Sequence, residues 1–365
     1  MSSNWCPDIY KGLFIDRVNN DRIRLAPCCQ ADATIEPIAD FDFATSPALT
    51  QMREQFDQGQ RPKSCDRCWK NEGLGTPSRR EFISRIHKEP SRSVGLETLT
   101  YSSTWACNLA CIMCDEQYSS TWAMELGTTR DELETLGRAH NKSLKFLEQL
   151  DLSNLRHLHF NGGEPLLNDD HLLILQQADK LNILNSLALS YNTNGTQYPS
   201  ARAMDYWKRS KLVRLWFSIE GTENAYDYIR YHGNWEQDSA NISKICDAVS
   251  SNVKFGFNVT VGCYNLFELP AVLAWYQEHM LAKYPASAVG LNWQFAYNFD
   301  PKVLNDAAKQ DAITLLEPYT EFVGIVAHLK AWLGNSNNNW IDRLEIMDQR
   351  RGTNWRNSLH VAKYY

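Results

Sequence analysis

The chain contains no apolar run approaching the roughly 18 residues that a membrane-spanning helix requires, so no membrane partner is expected. Its first residues, Met1-Ser-Ser-Asn-Trp-Cys-Pro7, have neither the basic n-region nor the apolar h-region of a secretory signal, and a cytoplasmic location is expected. Positive charge is not in excess. The 37 Lys and Arg against 43 Asp and Glu give a net charge of −6, which argues against nonspecific binding of nucleic acid or anionic membrane. No internal repeat or low-complexity tract occurs. With 43% apolar and 22% charged residues, disordered, collagen-like and coiled-coil classes are excluded. The 12 tryptophans are scattered, as core and rim residues are, and form no stacking platform. A globular protein of about two domains remains, at roughly 100–200 residues per domain.

Cysteine is what the chain has in plenty. Disulfides are rare in a reducing cytosol and metal ligation is the commoner use there, so ten cysteines need a reason. Eight fall in the first third: Cys6, Cys28, Cys29, Cys65, Cys68, Cys107, Cys111 and Cys114. Cys246 shares a helical face with Ile242, Ile245 and Val249 and reads as a buried small hydrophobe. Cys263 follows a strand-like run and reads as ordinary packing.

Between about 96 and 297, strand and helix signals alternate. Strands are predicted at Leu96–Tyr101, Leu155–Phe160, Ser186–Tyr191, Leu212–Ile219, Lys254–Val261 and Leu291–Tyr297. Helices are predicted at Thr129–Leu150, Asp170–Lys180, Ala201–Arg209, Glu236–Ser250 and Leu269–Leu281. Such alternation builds parallel βα units with right-handed crossovers, and six in series suit a partial (βα)6 barrel. Chemistry is then expected on the loops at the C-terminal ends of the strands. The first such loop reads Cys107-Asn-Leu-Ala-Cys111-Ile-Met-Cys114. Three thiolates at this spacing suit three corners of a 4Fe-4S cluster and leave one iron open to a small molecule. The competing reading is zinc, whose structural sites want four closed ligands.

This C-x3-C-x2-C motif after a first strand, with Met113 before its last cysteine, resembles the signature of the radical S-adenosylmethionine (radical SAM) superfamily. The likeness continues into Asn161-Gly162-Gly163-Glu164-Pro165, similar to the family's GGE motif, and into Asn192-Thr-Asn194-Gly195 and Ser218-Ile-Glu-Gly221. Tyr228-Ile-Arg230-Tyr-His-Gly233 is similar to a segment of peptide-modifying members. The resemblance spans about 200 residues and implies an α/β fold with a partial (βα)6 barrel of that type. It implies that Cys107, Cys111 and Cys114 bind the cluster and that its open iron takes the methionyl amine and carboxylate of S-adenosylmethionine. Reductive cleavage of that cofactor would yield a 5′-deoxyadenosyl radical that abstracts hydrogen from substrate. Gly162 and Gly163 would let the backbone approach the cofactor, and Glu164 would accept hydrogen bonds from its ammonium. Met113 would pack near the adenine, Asn194 and Ser218 would bond the ribose or methionyl carboxylate, and Arg230 would clamp a carboxylate. An external electron donor such as flavodoxin or ferredoxin is implied.

In residues 1–75, Cys65-x2-Cys68 is a chelating pair, and Cys6 with Cys28 or Cys29 would complete a set of four from these five cysteines. On spacing alone, a fully ligated second 4Fe-4S cluster and a structural zinc both stand. The run from Cys6 to Glu72, with Ser78-Arg79-Arg80, resembles the N-terminal segment of twitch-type radical SAM proteins, related to half of a SPASM domain, and implies the second cluster. It departs from them at Asn19–Arg24, which carries no turn glycine. No cysteine lies past 263, so a C-terminal SPASM domain is not expected.

The domain reading is therefore residues 1–75 as a cysteine-rich module, 76–95 as a basic connector, 96–300 as the barrel and 301–365 as a helical extension. The tail segment Asp348–Arg356 mixes cations with an aromatic; packing on the open side of the barrel near substrate is one reading, and a capping helix and tail is the preferred one. Function reads as a radical SAM enzyme modifying a peptide or protein, although no leader-binding domain is recognisable ahead of the barrel. The alternatives are a radical SAM enzyme acting on a small metabolite or nucleotide, and a zinc-stabilised binding protein.

Overall fold

The computed structural model describes residues 5–19, 22–39, 41–73, 78–86, 91–129, 131–132, 146–284 and 288–365. The N-terminal segment forms α1 (Pro7–Lys11), β1 (Gly12–Asn19), β2 (Arg22–Ala26), β3 (Thr34–Pro37), α2 (Pro47–Asp57), α3 (Asp66–Gly73) and α4 (Arg79–Ile86). Strands and helices then alternate: β4 (Thr98–Thr104), α5 (Ser120–Glu125), β5 (His157–Gly162), α6 (Asp170–Lys180), β6 (Ala188–Thr193), α7 (Ala201–Arg209), β7 (Leu212–Ser218), α8 (Glu223–Ile229), α9 (Trp235–Ala248), β8 (Val253–Val261), α10 (Leu269–Trp275) and β9 (Ala288–Phe295). The chain continues as α11 (Asp306–Leu316), α12 (Val323–Ala331), α13 (Asn339–Arg351) and α14 (Trp355–Ser358).

All nine strands form one sheet in the order β3-β2-β1-β4-β5-β6-β7-β8-β9. β1 and β4, β4 and β5, β5 and β6, and β8 and β9 pair in parallel, while β2 pairs antiparallel with β1 and β3. From β4 to β9 the spatial order is the sequence order, which is single winding as in βα barrels. A doubly wound sheet would reverse direction at a switch point. Each of the six predicted strands is present, displaced by at most three residues at either end. The helix expected at Thr129–Leu150 lies mostly outside the described residues.

Two compact units divide the chain: residues 1–105, 128–191 and 200–213 form the first, and 106–127, 192–199 and 214–365 the second. In the first, alternation along β5 buries Leu158 and Phe160 and leaves His157, His159 and Asn161 half-buried on the opposite face. The apolar face packs on the helices: Phe160 stacks on Tyr191 and meets the edge of His171 on α6, and Tyr191 meets Trp207 on α7. In the second unit, Phe257 of β8 stacks on Trp275 of α10, which packs against Trp235 of α9. The alternate face of β8 carries half-buried Asn258 and Thr260. Asn258 donates to Asn192 at 3.1 Å and accepts from Asn292 at 2.6 Å. Interiors of fully packed barrels are filled by branched aliphatics, so these amides mark a face built to meet polar groups.

Two features depart from the sequence reading. The N-terminal segment supplies three strands to the main sheet, with β1 registered along β4 from Gly12 opposite Thr98 to Ile15 opposite Tyr101. The segment expected as a basic, solvated connector instead contains α4. There Arg80 is buried, donating to Glu72 and to the Trp5 carbonyl and lying over the Trp69 ring, and Arg79 donates to Asp8 at 2.7 Å. Acceptors at buried Asp8 and half-buried Glu72 recruit these cations, which would otherwise face water.

Candidate functional site

The loop between β4 and α5 carries the three clustered cysteines, and its apolar residues decide its path. Leu109, Ala110 and Ile112 are fully buried, leaving Cys107 and Cys114 half-exposed and Cys111 at 8% exposure. Backbone groups between them are held from two sides. Ala110 N donates to Tyr231 O at 3.0 Å and Ile112 N to Ile229 O at 2.9 Å, so the segment after α8 backs the loop like a short strand. On the other side, Trp122 Nε1 donates to Cys111 O at 2.8 Å, Ser119 Oγ to Leu109 O at 2.6 Å and Thr121 Oγ1 to Cys107 O at 2.6 Å. A loop with its backbone groups satisfied in this way holds its side chains in place.

The electrostatics of the loop centre on Arg230. Its guanidinium is buried, pairs with Glu220 at 2.6 Å and places Nη1 3.7 Å from Cys111 Sγ. Glu220 is itself held by Thr260 N at 3.2 Å. Burial raises the Cys111 thiol, and the charges of Arg230 and Arg351 pull it back down. Burial also raises Cys114, helped by Cys111 and Cys107, so the three sulfurs lie within electrostatic reach of one another. The unit's other cysteines are remote in role: Cys246 packs on Met280 and Cys263 is fully buried. Three soft donors with a buried cation beside them suit the ligand set of an anionic cluster with one open iron. Among the described residues no three His, Cys, Asp or Glu side chains converge on a single metal ion as they stand.

The remaining sequence-predicted residues fall as follows. Asn194 is tied to the cysteine loop: it donates to Asn108 Oδ1 at 3.0 Å and accepts from Thr196, whose hydroxyl accepts from Asn108 at 2.8 Å. Asn108 and Thr196 were not singled out in the sequence, although Asn108 stands directly after Cys107. Met113 and Ser218 are half-buried, Ser218 closing β7.

In the first unit, Gly162 ends β5 at φ +115°, a conformation that favours glycine. A Cβ there would overlap the Thr104 carbonyl, which accepts from Gly163 N at 2.7 Å. Its glycine is therefore required by the neighbouring strand, not solely by a ligand as the sequence reading had it. Glu164 is fully buried with Oε1 accepting from Leu166 N at 3.0 Å, so part of its carboxylate closes its own turn.

The same unit holds a second cysteine site. Cys6 caps α1, Cys28 lies in the turn after β2, Cys65 ends a 3₁₀ turn and Cys68 sits on α3. Asp32 N donates to Ser64 O at 2.9 Å and draws the Cys28 turn against the Cys65 turn. All four cysteines line one small, partly open void, together with Asp8, Phe56, Arg79 and Arg80. Burial drives the Cys6 thiol well up, and Asp8, Cys28 and Cys65 add to it. Cys29 is exposed and absent from the lining. Four thiols around one void are the number that a fully ligated cluster takes, and Cys28, not Cys29, is in that lining.

No protein-family model matches the chain, and no curated protein matches it. Among solved structures it is similar to native anSMEcpe with bound AdoMet, at 18% identity and a TM-score of 0.41, covering 62% of this chain and 60% of that one. It is also similar to Streptococcus suis SuiB bound to S-adenosylmethionine, at 10% identity and a TM-score of 0.38, over 83% of this chain and 69% of that one. SuiB bound to its precursor peptide SuiA gives 10% identity, a TM-score of 0.39 and the same coverage. The chain thus spans about 60% of the length of the first of these structures. Likeness at this level does not specify an activity, and the residues of the site have to carry that.

Proposed function

We propose that the chain is a radical SAM enzyme whose catalytic cluster is held by Cys107, Cys111 and Cys114. The observation that supports it most is the loop itself: three thiols on a backbone pinned at Cys107, Leu109, Ala110, Cys111 and Ile112, with the Arg230 guanidinium 3.7 Å from Cys111 Sγ. When bound, a reduced 4Fe-4S cluster with an open iron supplies the electron that cleaves S-adenosylmethionine to a 5′-deoxyadenosyl radical. The chain's residues hold and shield that chemistry. Arg230 offsets the negative charge of the ligand set, Glu220 fixes Arg230, and the Asn108–Asn194–Thr196 ring fixes the loop's first turn. In this reading Glu164 accepts hydrogen bonds from the methionyl ammonium, and Met113 packs beside the adenine. Ser218 and the amides of Asn192, Asn258 and Asn292 face the remaining polar groups.

Cys6, Cys28, Cys65 and Cys68 hold a second 4Fe-4S cluster in this reading, supported by their shared void. The substrate is a peptide or protein, supported by the Tyr228–Gly233 segment, and flavodoxin or ferredoxin supplies electrons. The test is iron and acid-labile sulfide per chain in anaerobically purified protein, wild type beside a Cys107→Ala, Cys111→Ala, Cys114→Ala variant. About eight iron falling to about four supports two clusters. Bound zinc with no iron in either protein contradicts both assignments.

A further inference from the structure

Arg351, the last residue of α13, sits among the groups that hold the cysteine loop. Its Nε donates to both carboxylate oxygens of Glu125 at 3.0 and 3.1 Å. Its guanidinium carbon lies 4.5 Å from the centre of the Trp122 ring and 4.4 Å from that of Tyr231. The side chain is only 2% exposed, and Nη2 is buried without a hydrogen-bond partner.

The two rings around this cation are the same two residues that fix the loop's central backbone. Trp122 donates its indole N–H to Cys111 O, and Tyr231 lends its carbonyl to Ala110 N. Cation–π contacts are strongest in a desolvated slot, and a lysine there would lack the planar face that stacks on both rings. The turn after α13 is closed by Gly352 at φ +68°. Asp348 accepts from Thr353 Oγ1 at 2.6 Å and from Trp355 N at 2.8 Å, so the helix end is fixed as well. A buried guanidinium with one nitrogen unpaired is costly, and general stability is better served by an apolar residue of similar volume. Its retention there points to a positional task.

We propose that Arg351 is a positioning residue that latches the C-terminal helix onto the cysteine loop and sets the geometry of Cys111. The assignment of Cys111 as a cluster ligand rests on the reading above, but the latch itself does not require a bound cluster. It makes α13 part of the catalytic scaffold, acting through Trp122 and Tyr231 and not by contact with substrate.

The test is amide hydrogen exchange of the full chain, followed for residues 107–114 in wild type, Arg351→Gln and Arg351→Lys. Arg351→Gln is expected to exchange Ala110 and Ile112 at least tenfold faster while α9 and β5 stay at wild-type rates. Arg351→Lys recovers only part of the protection. In reconstituted protein, the change in the reduced cluster's electron paramagnetic resonance on adding S-adenosylmethionine should require at least fivefold more cofactor in Arg351→Gln. Wild-type exchange in the loop overturns the latch, and so does equal loss of protection across the whole chain. Iron that vanishes with the three-cysteine variant while Arg351→Gln leaves the loop protected sinks the latch alone. A protein without iron whose loop still loosens in Arg351→Gln sinks the cluster reading alone.

Discussion

The two cysteine sites are held in opposite ways. In the first unit, four thiols from α1, the turn after β2, a 3₁₀ turn and α3 reach one void only because tertiary structure gathers them. Charge does not separate the two sites, since Arg79 and Arg80 pair with Asp8 and Glu72 just as Arg230 pairs with Glu220. In the second unit, three thiols lie within eight residues on one loop, and the fold's contribution is to pin that loop's backbone. A saturated ligand set needs convergence alone. A set that leaves one position open must also be aimed, and the density of hydrogen bonds on residues 107–112 is what aiming requires.

The largest effect expected from this contrast is on metal content. Cys28→Ala should remove about four iron per chain and Cys29→Ala none, since only Cys28 lines the void. Equal losses from both would show that the turn rearranges around its metal. Next comes Gly162→Ala, which adds left-handed strain and an overlap with the Thr104 carbonyl. It should cost about 3 kcal/mol or more, against about 1 kcal/mol for Gly127→Ala, where a Cβ meets nothing within 4 Å. Urea denaturation of the two variants measures the gap.

A smaller effect is tied to pH. Burial pushes the His171 imidazole down to about 4, with Nδ1 3.1 Å from the Tyr191 hydroxyl. The unfolded chain takes up this proton near pH 6.5 and the folded one does not until about 4, so stability falls as pH drops through that window. Wild type should lose about 2 kcal/mol between pH 7 and 5 that His171→Leu does not lose. Parallel denaturation midpoints in the two proteins would refute a neutral buried His171. The smallest effect expected is from Trp122→Phe, which removes one hydrogen bond to Cys111 O and should cost about 1 kcal/mol of stability.

The six-strand alternation and the cysteine loop were legible in the sequence because both are local. Period-two burial of Leu158 and Phe160, or of Leu215 and Phe217, is written in consecutive residues. The three N-terminal strands were not legible. Their pairing with β4 spans more than eighty residues, and no short window encodes that register. The choice of Cys28 over Cys29 depended on which side of a turn faces a void, and a pair of identical neighbours gives no signal. Arg230 read as a clamp for a carboxylate of a ligand, because its partner Glu220 is recognisable only once both are seen to be buried. Arg351 was noticed only as part of a basic tail, since the rings that surround it lie more than a hundred residues away.

The measurement that tests the central claim most directly is cofactor cleavage. Anaerobic, iron-replete protein is reduced with dithionite in the presence of S-adenosylmethionine, and 5′-deoxyadenosine and methionine are quantified. The account predicts both products in equal amounts from wild type and neither from the Cys107→Ala, Cys111→Ala, Cys114→Ala variant. Iron-replete wild type that forms no 5′-deoxyadenosine, or a triple variant that forms as much as wild type, would contradict it.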